Sequence, residues 1–243
     1  MQPGSFIIDG VHSDKLKSLI QYRPELETPR RKVKLVEVSG RSGDIPFDEE
    51  AYENTTMSLT LFTMGDSWEE VTYNRERIVY HFDHGRYVDF IPYFDTNKTY
   101  RAMLSNGPSF INSGLYTEVS EYSLDLTIKP YKMLPDDMFE FLSKSTIINK
   151  TFYTSEPKIT IYGSGDITLK VNAIPFVLKG VDGTIVIDTE VAHSYKITNG
   201  VLVGQDNKVY TLDYPIFNPG ENVIEWTGNV TKVVVSPKWR TLI

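Results

Sequence analysis

The chain has 243 residues, 25 Lys and Arg against 32 Asp and Glu, and a formal charge of −7. That balance argues against a protein whose main work is holding nucleic acid. The absence of cysteine removes disulfides, thiolate metal centres and Cys nucleophiles, and no apolar run is long enough to cross a bilayer as a helix.

Fifteen Tyr and twelve Phe, with 13 Pro and 16 Gly, favour strands and turns over helices. The opening Met1–Val11 is short and runs into Asp14, Lys15 and Lys17, which does not fit a secretory signal. Lys32–Val38 reads as a strand whose apolar phase slips between Leu35 and Val36, the mark of a bulge or twist. The turn Gly40-Arg-Ser-Gly43 follows. Met57, Leu59 and Leu61 alternate with Ser58 and Thr60, so this strand has one dry and one wet face.

A helix is expected to start at Ser67, with Glu70 three residues on, and to stop by Gly85. Its apolar face, Trp68, Val71, Ile78, Val79 and Phe82, is broken by Arg75. The aromatic run Tyr87, Phe90, Tyr93, Phe94 and Tyr100 suits core and interface positions better than a sugar platform. Tyr122, Leu124, Leu126 and Ile128 alternate with polar residues in another half-buried strand. A second, short helix is expected from Pro135, with Asp136 and Asp137 in its first turn and Met138, Phe139 and Leu142 facing inward. A domain boundary is placed within Met133–Glu156, giving an N-terminal domain over 1–140 and a C-terminal one over 141–243. Beyond it, Gly163-Ser-Gly-Asp166, Asp182-Gly183 and Asn199-Gly200 read as turns of an antiparallel sandwich. Ile167, Leu169 and Val171 mark a strand between them.

Charge is segregated. Val11–Arg41 holds eight basic residues against four acidic ones, whereas Asp44–Glu70 holds eight acidic residues and no Lys or Arg. One reading is two solvated faces. The other is a dipolar domain whose basic side, with Arg30, Arg31, Lys32 and Lys34, docks on the acidic side, with Asp48, Glu49 and Glu50, of the next copy. Such head-to-tail contacts close into rings.

No catalytic constellation is concentrated anywhere. The acid pairs Asp48-Glu49-Glu50, Glu69-Glu70 and Asp136-Asp137 are neighbours in polar segments, not carboxyls facing each other across a cleft. His81 and His84 supply only two local ligands, too few for a metal centre. Nucleophile-elbow and phosphate-loop patterns are missing. The expectation is therefore a protein that is not an enzyme and needs no cofactor.

Several segments in order carry a resemblance. They are Phe6-Ile-Ile-Asp-Gly-Val-His-Ser13, the Pro-broken Tyr22–Pro29, Ser39-Gly-Arg-Ser-Gly-Asp44 and Leu124–Lys132. In the second half come Pro157–Leu169, Asn218-Pro-Gly-Glu-Asn-Val-Ile-Glu-Trp-Thr-Gly228 and Ser236-Pro-Lys-Trp-Arg240. Their order and spacing resemble the distal tail protein (Dit) of siphophages that infect Gram-positive bacteria. The resemblance implies a mainly β fold. An N-terminal β-sheet or sandwich domain with one helix would form a hexameric ring around a channel. A C-terminal β-sandwich, galectin-like or like a carbohydrate-binding module, would project outward.

It further implies a virion structural protein of the tail tip, assembled in the host cytoplasm, joining the tail tube to the tip or baseplate. The partners implied are other copies of itself, the major tail protein, the tape-measure protein, the tail-associated lysin or tip protein and, in some phages, receptor-binding proteins. The alternative reading is a protein recognising host cell-wall polysaccharide. Galectins use a His, Asn, Arg and Trp cluster. Here the only His after residue 134 is His193, the only Arg is Arg240, and Trp226 is followed by Thr-Gly. Any sugar contact would then rest on residues such as Trp226 and Tyr214.

Overall fold

The computed structural model describes residues 1–112 and 118–243, and the side chains of all of these but residue 112. The protein is mainly β. It divides into unit 1, Met1–Lys132 with Leu242–Ile243, and unit 2, Met133–Thr241.

Unit 1 contains β1 (Phe6–Ile8), β2 (Val11–His12), β3 (Ser18–Ile20), β4 (Arg31–Val36), β5 (Ile45–Tyr52), β6 (Thr55–Met64) and α1 (Trp68–Phe82). These are followed by β7 (Val88–Pro92), β8 (Tyr100–Leu104), β9 (Ser109–Asn112) and β10 (Val119–Ile128). The main sheet runs β2-β1-β7-β8-β10-β6-β3, with β9 also on β10. Its centre is the long antiparallel pair β6–β10, in register through Leu61↔Tyr122, Leu59↔Leu124 and Met57↔Leu126. All six of these side chains are buried. The two alternating patterns of the sequence thus meet as one dry face, where cross-strand pairing of large side chains stabilises the sheet. The wet face keeps polar contacts, as in Ser58 Oγ donating to Asp125 Oδ1 at 2.6 Å.

Helix α1 begins as its sequence dictates. Ser67 is the N-cap and accepts from Glu70 N at 3.2 Å, and Glu70 Oε2 accepts from Asp66 N at 2.7 Å. Two otherwise orphaned N–H groups are satisfied reciprocally. Val71, Ile78 and Phe82 face the core, and Phe82 packs on Phe6. Arg75 does not break this face. Its guanidinium reaches Ser120 Oγ and lies over the rings of Trp68 and Phe110, both at 5.0 Å, so a cation completes a largely aromatic wall.

The passage to unit 2 runs through β11 (Tyr131–Met133). Unit 2 has β12 (Phe139–Phe141), β13 (Ser145–Asn149), β14 (Lys158–Val171), β15 (Ile174–Asp188), β16 (His193–Thr198), β17 (Val201–Gly204) and β18 (Gly220–Ser236). The chain ends in β19 (Arg240–Leu242). The helix expected from Pro135 is absent, and Phe139–Phe141 is a strand paired with β18. Two forces outweigh the helical signal. Phe139 and Phe141 alternate onto the core, whereas Met138 and Leu142 stay exposed. Asp136 is taken up by Ser236 Oγ and by Lys238 Nζ at 2.9 Å. Burial raises its carboxyl, but those bonds outweigh it and hold the group below its usual value.

The main strands of unit 2 form one sheet, β12-β18-β14-β15-β16-β17, with β13 also on β18. The predicted turns at Gly163–Asp166 and Asp182-Gly183 do not reverse the chain, because both lie inside long strands. The glycines bend those strands instead. The register of β14 shifts against β15 between Gly165 and Ile167, and against β18 between Ser164 and Thr168. At this bend the backbones approach so closely that a Cβ on Gly228 would stand 2.4 Å from the Asp166 carbonyl oxygen. A Cβ on Gly163 would stand 2.5 Å from that of Asn229. Bulges of this kind let one sheet curl around its own core. Ile159 and Ile161 from before the bend and Ile167, Leu169 and Val171 from after it all join that core. Asn199-Gly200 is a true hairpin turn, with both residues at positive φ, between β16 and β17.

Candidate assembly surface

Parts of the two charged segments, Arg31–Val36 and Ile45–Tyr52, come together in one feature of unit 1. Among the described residues, strands β4 and β5 pair only with each other, through Lys34↔Phe47, Leu35↔Pro46 and Val36↔Ile45. Every residue of β4 is exposed, and so is β5 up to Glu50. An isolated two-stranded ribbon is marginal in water, since it has no third strand or helix to bury a face. Here it is also apolar on both sides. Leu35 and Phe47 are 63% and 64% exposed, with Val33, Val36 and Ile45 also exposed.

One clasp organises the base of this arm. Arg31 Nε donates to both Asp48 carboxylate oxygens at 2.9 Å, and Nη1 donates to Tyr52 Oη at 3.1 Å. The Arg31 guanidinium holds the Asp48 carboxyl below its usual range, helped by the Glu50 backbone N–H. Glu50 has φ of +55°, where the register of the ribbon shifts. Tyr52 in turn packs edge-on against Tyr131 at 5.8 Å.

The predicted interface residues are therefore brought together, but within one chain. Arg30, Arg31, Lys32, Lys34 and Glu49 line one open groove of ≈ 520 Å³ along the arm. Asp48 is engaged with Arg31, and Glu50 lies off the groove. Lys32, Lys34, Glu49 and Glu50 make no ion pair with the described residues. Their charges, and the apolar side chains beside them, remain open to another surface. The sequence reading missed Leu35 and Phe47. The available signal was the lack of any consistent alternation over residues 31–52, which means that neither face has a core of its own to bury against.

In unit 2 the two residues considered for sugar contact do not converge. Tyr214 packs on Phe176 at 5.2 Å and lines a small cavity. Trp226 sits opposite Leu169 on β18, packs against the core and is not part of that cavity's lining. His84 Nε2 lies 3.7 Å from Asp9 Oδ2. Among the described residues no group of three or more His, Asp or Glu could hold a metal ion.

This fold, a β-sheet unit with a helix followed by a second β unit, is shared with solved chains of a bacteriophage tail hub and a phage baseplate. The chain is similar to SPP1 Dit (gp 19.1), described as a paradigm of the hub adsorption apparatus in phages infecting Gram-positive bacteria. The TM-score is 0.72 at 12% identity, with 98% of this chain and 99% of that one covered. It is also similar to a chain of the phage p2 baseplate in its activated conformation, in the strontium and calcium forms. There the TM-scores are 0.56 and 0.57 at 11% identity, over 95% of this chain and 96% of that one. No protein-family model matches the chain, and no curated protein matches it.

Proposed function

We infer that this chain is a structural component of a phage virion, the distal tail hub that joins the tail tube to the tail tip or baseplate. The observation that carries this reading is the full-length likeness to SPP1 Dit, which extends over both units. In this reading six copies close a ring through unit 1, and the β4–β5 arm of each copy lies on its neighbour. The exposed apolar residues of the arm form the centre of that contact. The lysines and acids around it set register and exclude wrong orientations. Arg31 and Asp48 act in cis, holding the arm in shape, and do not bridge copies.

The two faces of such a ring present different surfaces. One would meet the major tail protein and the other the tail-associated lysin or tip protein. The tape-measure protein and receptor-binding proteins are further partners in this reading. The work is geometric, and no reaction or cofactor is assigned. Localisation tests the role. Gold-labelled antibody against the chain is expected to mark intact virions at the distal end of the tail only. Label along the whole tube, on the capsid, or nowhere on purified particles contradicts it.

A further inference from the structure

Unit 2 holds a preformed cavity that the hub reading leaves without a task. Two segments enclose it, residues 171–176 at the β14–β15 turn and residues 213–218 ahead of β18. Fully buried Asn222 ties them together. Its Oδ1 accepts from Asn172 Nδ2 and from Asn218 N, both at 2.8 Å, and its Nδ2 donates to Asn218 O at 2.8 Å. Ser155 and Phe217 exchange backbone hydrogen bonds at 2.9 and 3.0 Å behind the same segment. A buried network satisfied in this way holds one conformation, so the cavity does not depend on a ligand to form.

The cavity has a volume of ≈ 170 Å³. That is room for five or six waters at about 30 Å³ each, the space of one medium-sized side chain and much less than a drug-sized site. Its walls are mostly apolar, with Val171, Pro175, Phe176, Tyr214 and Pro215, and Asn172 and Asn218 also line it. Two of the lining residues are exposed apolar side chains. Ile174 is 61% exposed and Ile216 is 43% exposed. Asp213 lines the mouth and makes no hydrogen bond or ion pair with the described residues.

We propose that this cavity is a docking socket for a protein partner, which inserts one aliphatic or aromatic side chain and places an adjacent Lys or Arg against Asp213. An apolar pocket with an apolar collar and one uncompensated charge at its edge is the anatomy of an interface anchor point. The carboxylate fixes the sign of the partner's neighbouring charge. A sugar fits less well, because a pyranose needs several hydrogen-bonding groups around its ring. The Asn172 amide is already spent on Asn222 and on Val223 N, the latter at 2.9 Å. The proposal does not rest on ring formation and stands or falls separately from it.

The test uses the full chain labelled at isoleucine δ-methyls, with acetyl-Leu-Arg-amide, acetyl-Leu-Glu-amide and methyl β-galactoside as probes. The Arg dipeptide is expected to shift the Ile174 and Ile216 methyls and to leave Ile8 and Ile78 in unit 1 unmoved. Its half-saturation concentration should be about two- to fivefold lower than that of the Glu dipeptide, the range of an exposed ion pair. Asp213→Asn should abolish that preference while the methyls of the unit 2 core keep their positions. The proposal is overturned if no probe moves these two methyls, if the galactoside moves them and the dipeptides do not, or if the preference survives in Asp213→Asn.

Discussion

Replacing Leu35 and Phe47 together by aspartate is expected to dissociate the assembly while leaving the stability of the single chain unchanged. Both side chains are nearly two-thirds exposed in the single chain, and neither belongs to its core. Covering each on a neighbouring copy recovers about 1–2 kcal/mol, the exposed share of the roughly 1.5–3 kcal/mol for full burial of such a side chain. The two lie on opposite faces of the ribbon, so with both faces covered they amount to about 2–4 kcal/mol per arm, or roughly 30- to 1,000-fold in the association constant. The introduced carboxylates add a desolvation cost, so a loss of at least about 100-fold is the expected result. Compared at a concentration low enough that both proteins are single chains, the thermal transition of unit 1 should move by less than the equivalent of about 0.5 kcal/mol, as surface changes away from special features usually do. Sedimentation at high concentration and calorimetry at the dilute one separate the two effects. Unchanged mass with a lowered transition would mean that the arm serves its own chain.

Gly228→Ala is expected to be the most damaging single methyl in unit 2. Gly228 has φ of +104°, which L side chains rarely adopt, and its Cβ would stand 2.4 Å from the Asp166 carbonyl oxygen. Backbone strain alone costs about 1–3 kcal/mol, and a contact that tight forces β14 and β18 apart at the bend. A loss of about 3–5 kcal/mol follows, enough to lower the transition of a unit this size by more than about 10 °C. Gly165→Ala provides the internal comparison. It too has positive φ, +80°, but a Cβ there meets nothing within 4 Å. Its expected loss is about 1 kcal/mol, the conformational penalty without the collision. Denaturant titration of both variants checks the difference, and equal losses would refute the close approach as the cause.

These glycines also explain where sequence reading stopped. A glycine pair followed by Asp looks the same whether the chain reverses or bends, since both need positive φ. Only the long-range pairing of β14 with β18 decides for the bend. The alternating strands β6 and β10 were legible because one buried face imposes period two over ten residues. Helix α1 was legible from Ser67 and Glu70, whose capping bonds are local. The helix expected at Pro135 failed for the opposite reason. Its capping signals were local, but Ser236 and Lys238, a hundred residues on, claim Asp136.

The candidate site was half legible in the same sense. Charge segregation pointed to Arg30–Lys34 and Asp48–Glu50, and these do lie together on the arm. Charge alone could not reveal that Arg31 and Asp48 satisfy each other within the chain. Nor could it show that Leu35 and Phe47 stand uncovered beside them, because apolar residues in a strand are ordinarily read as core. The Tyr214 cavity is less legible still. Its frame depends on Asn172, Asn218 and Asn222, residues that look like ordinary turn asparagines until the two segments are brought together.

The account rests on copies of unit 1 closing into a ring. Mass measurement of the purified chain, with negative-stain images of the same sample, tests this most directly. The account predicts a species of six times the 27.8 kDa chain mass, with sixfold class averages around an open centre. A chain that remains monomeric at roughly 100 μM, a concentration at which contacts worth only about 5–6 kcal/mol would already form, contradicts it.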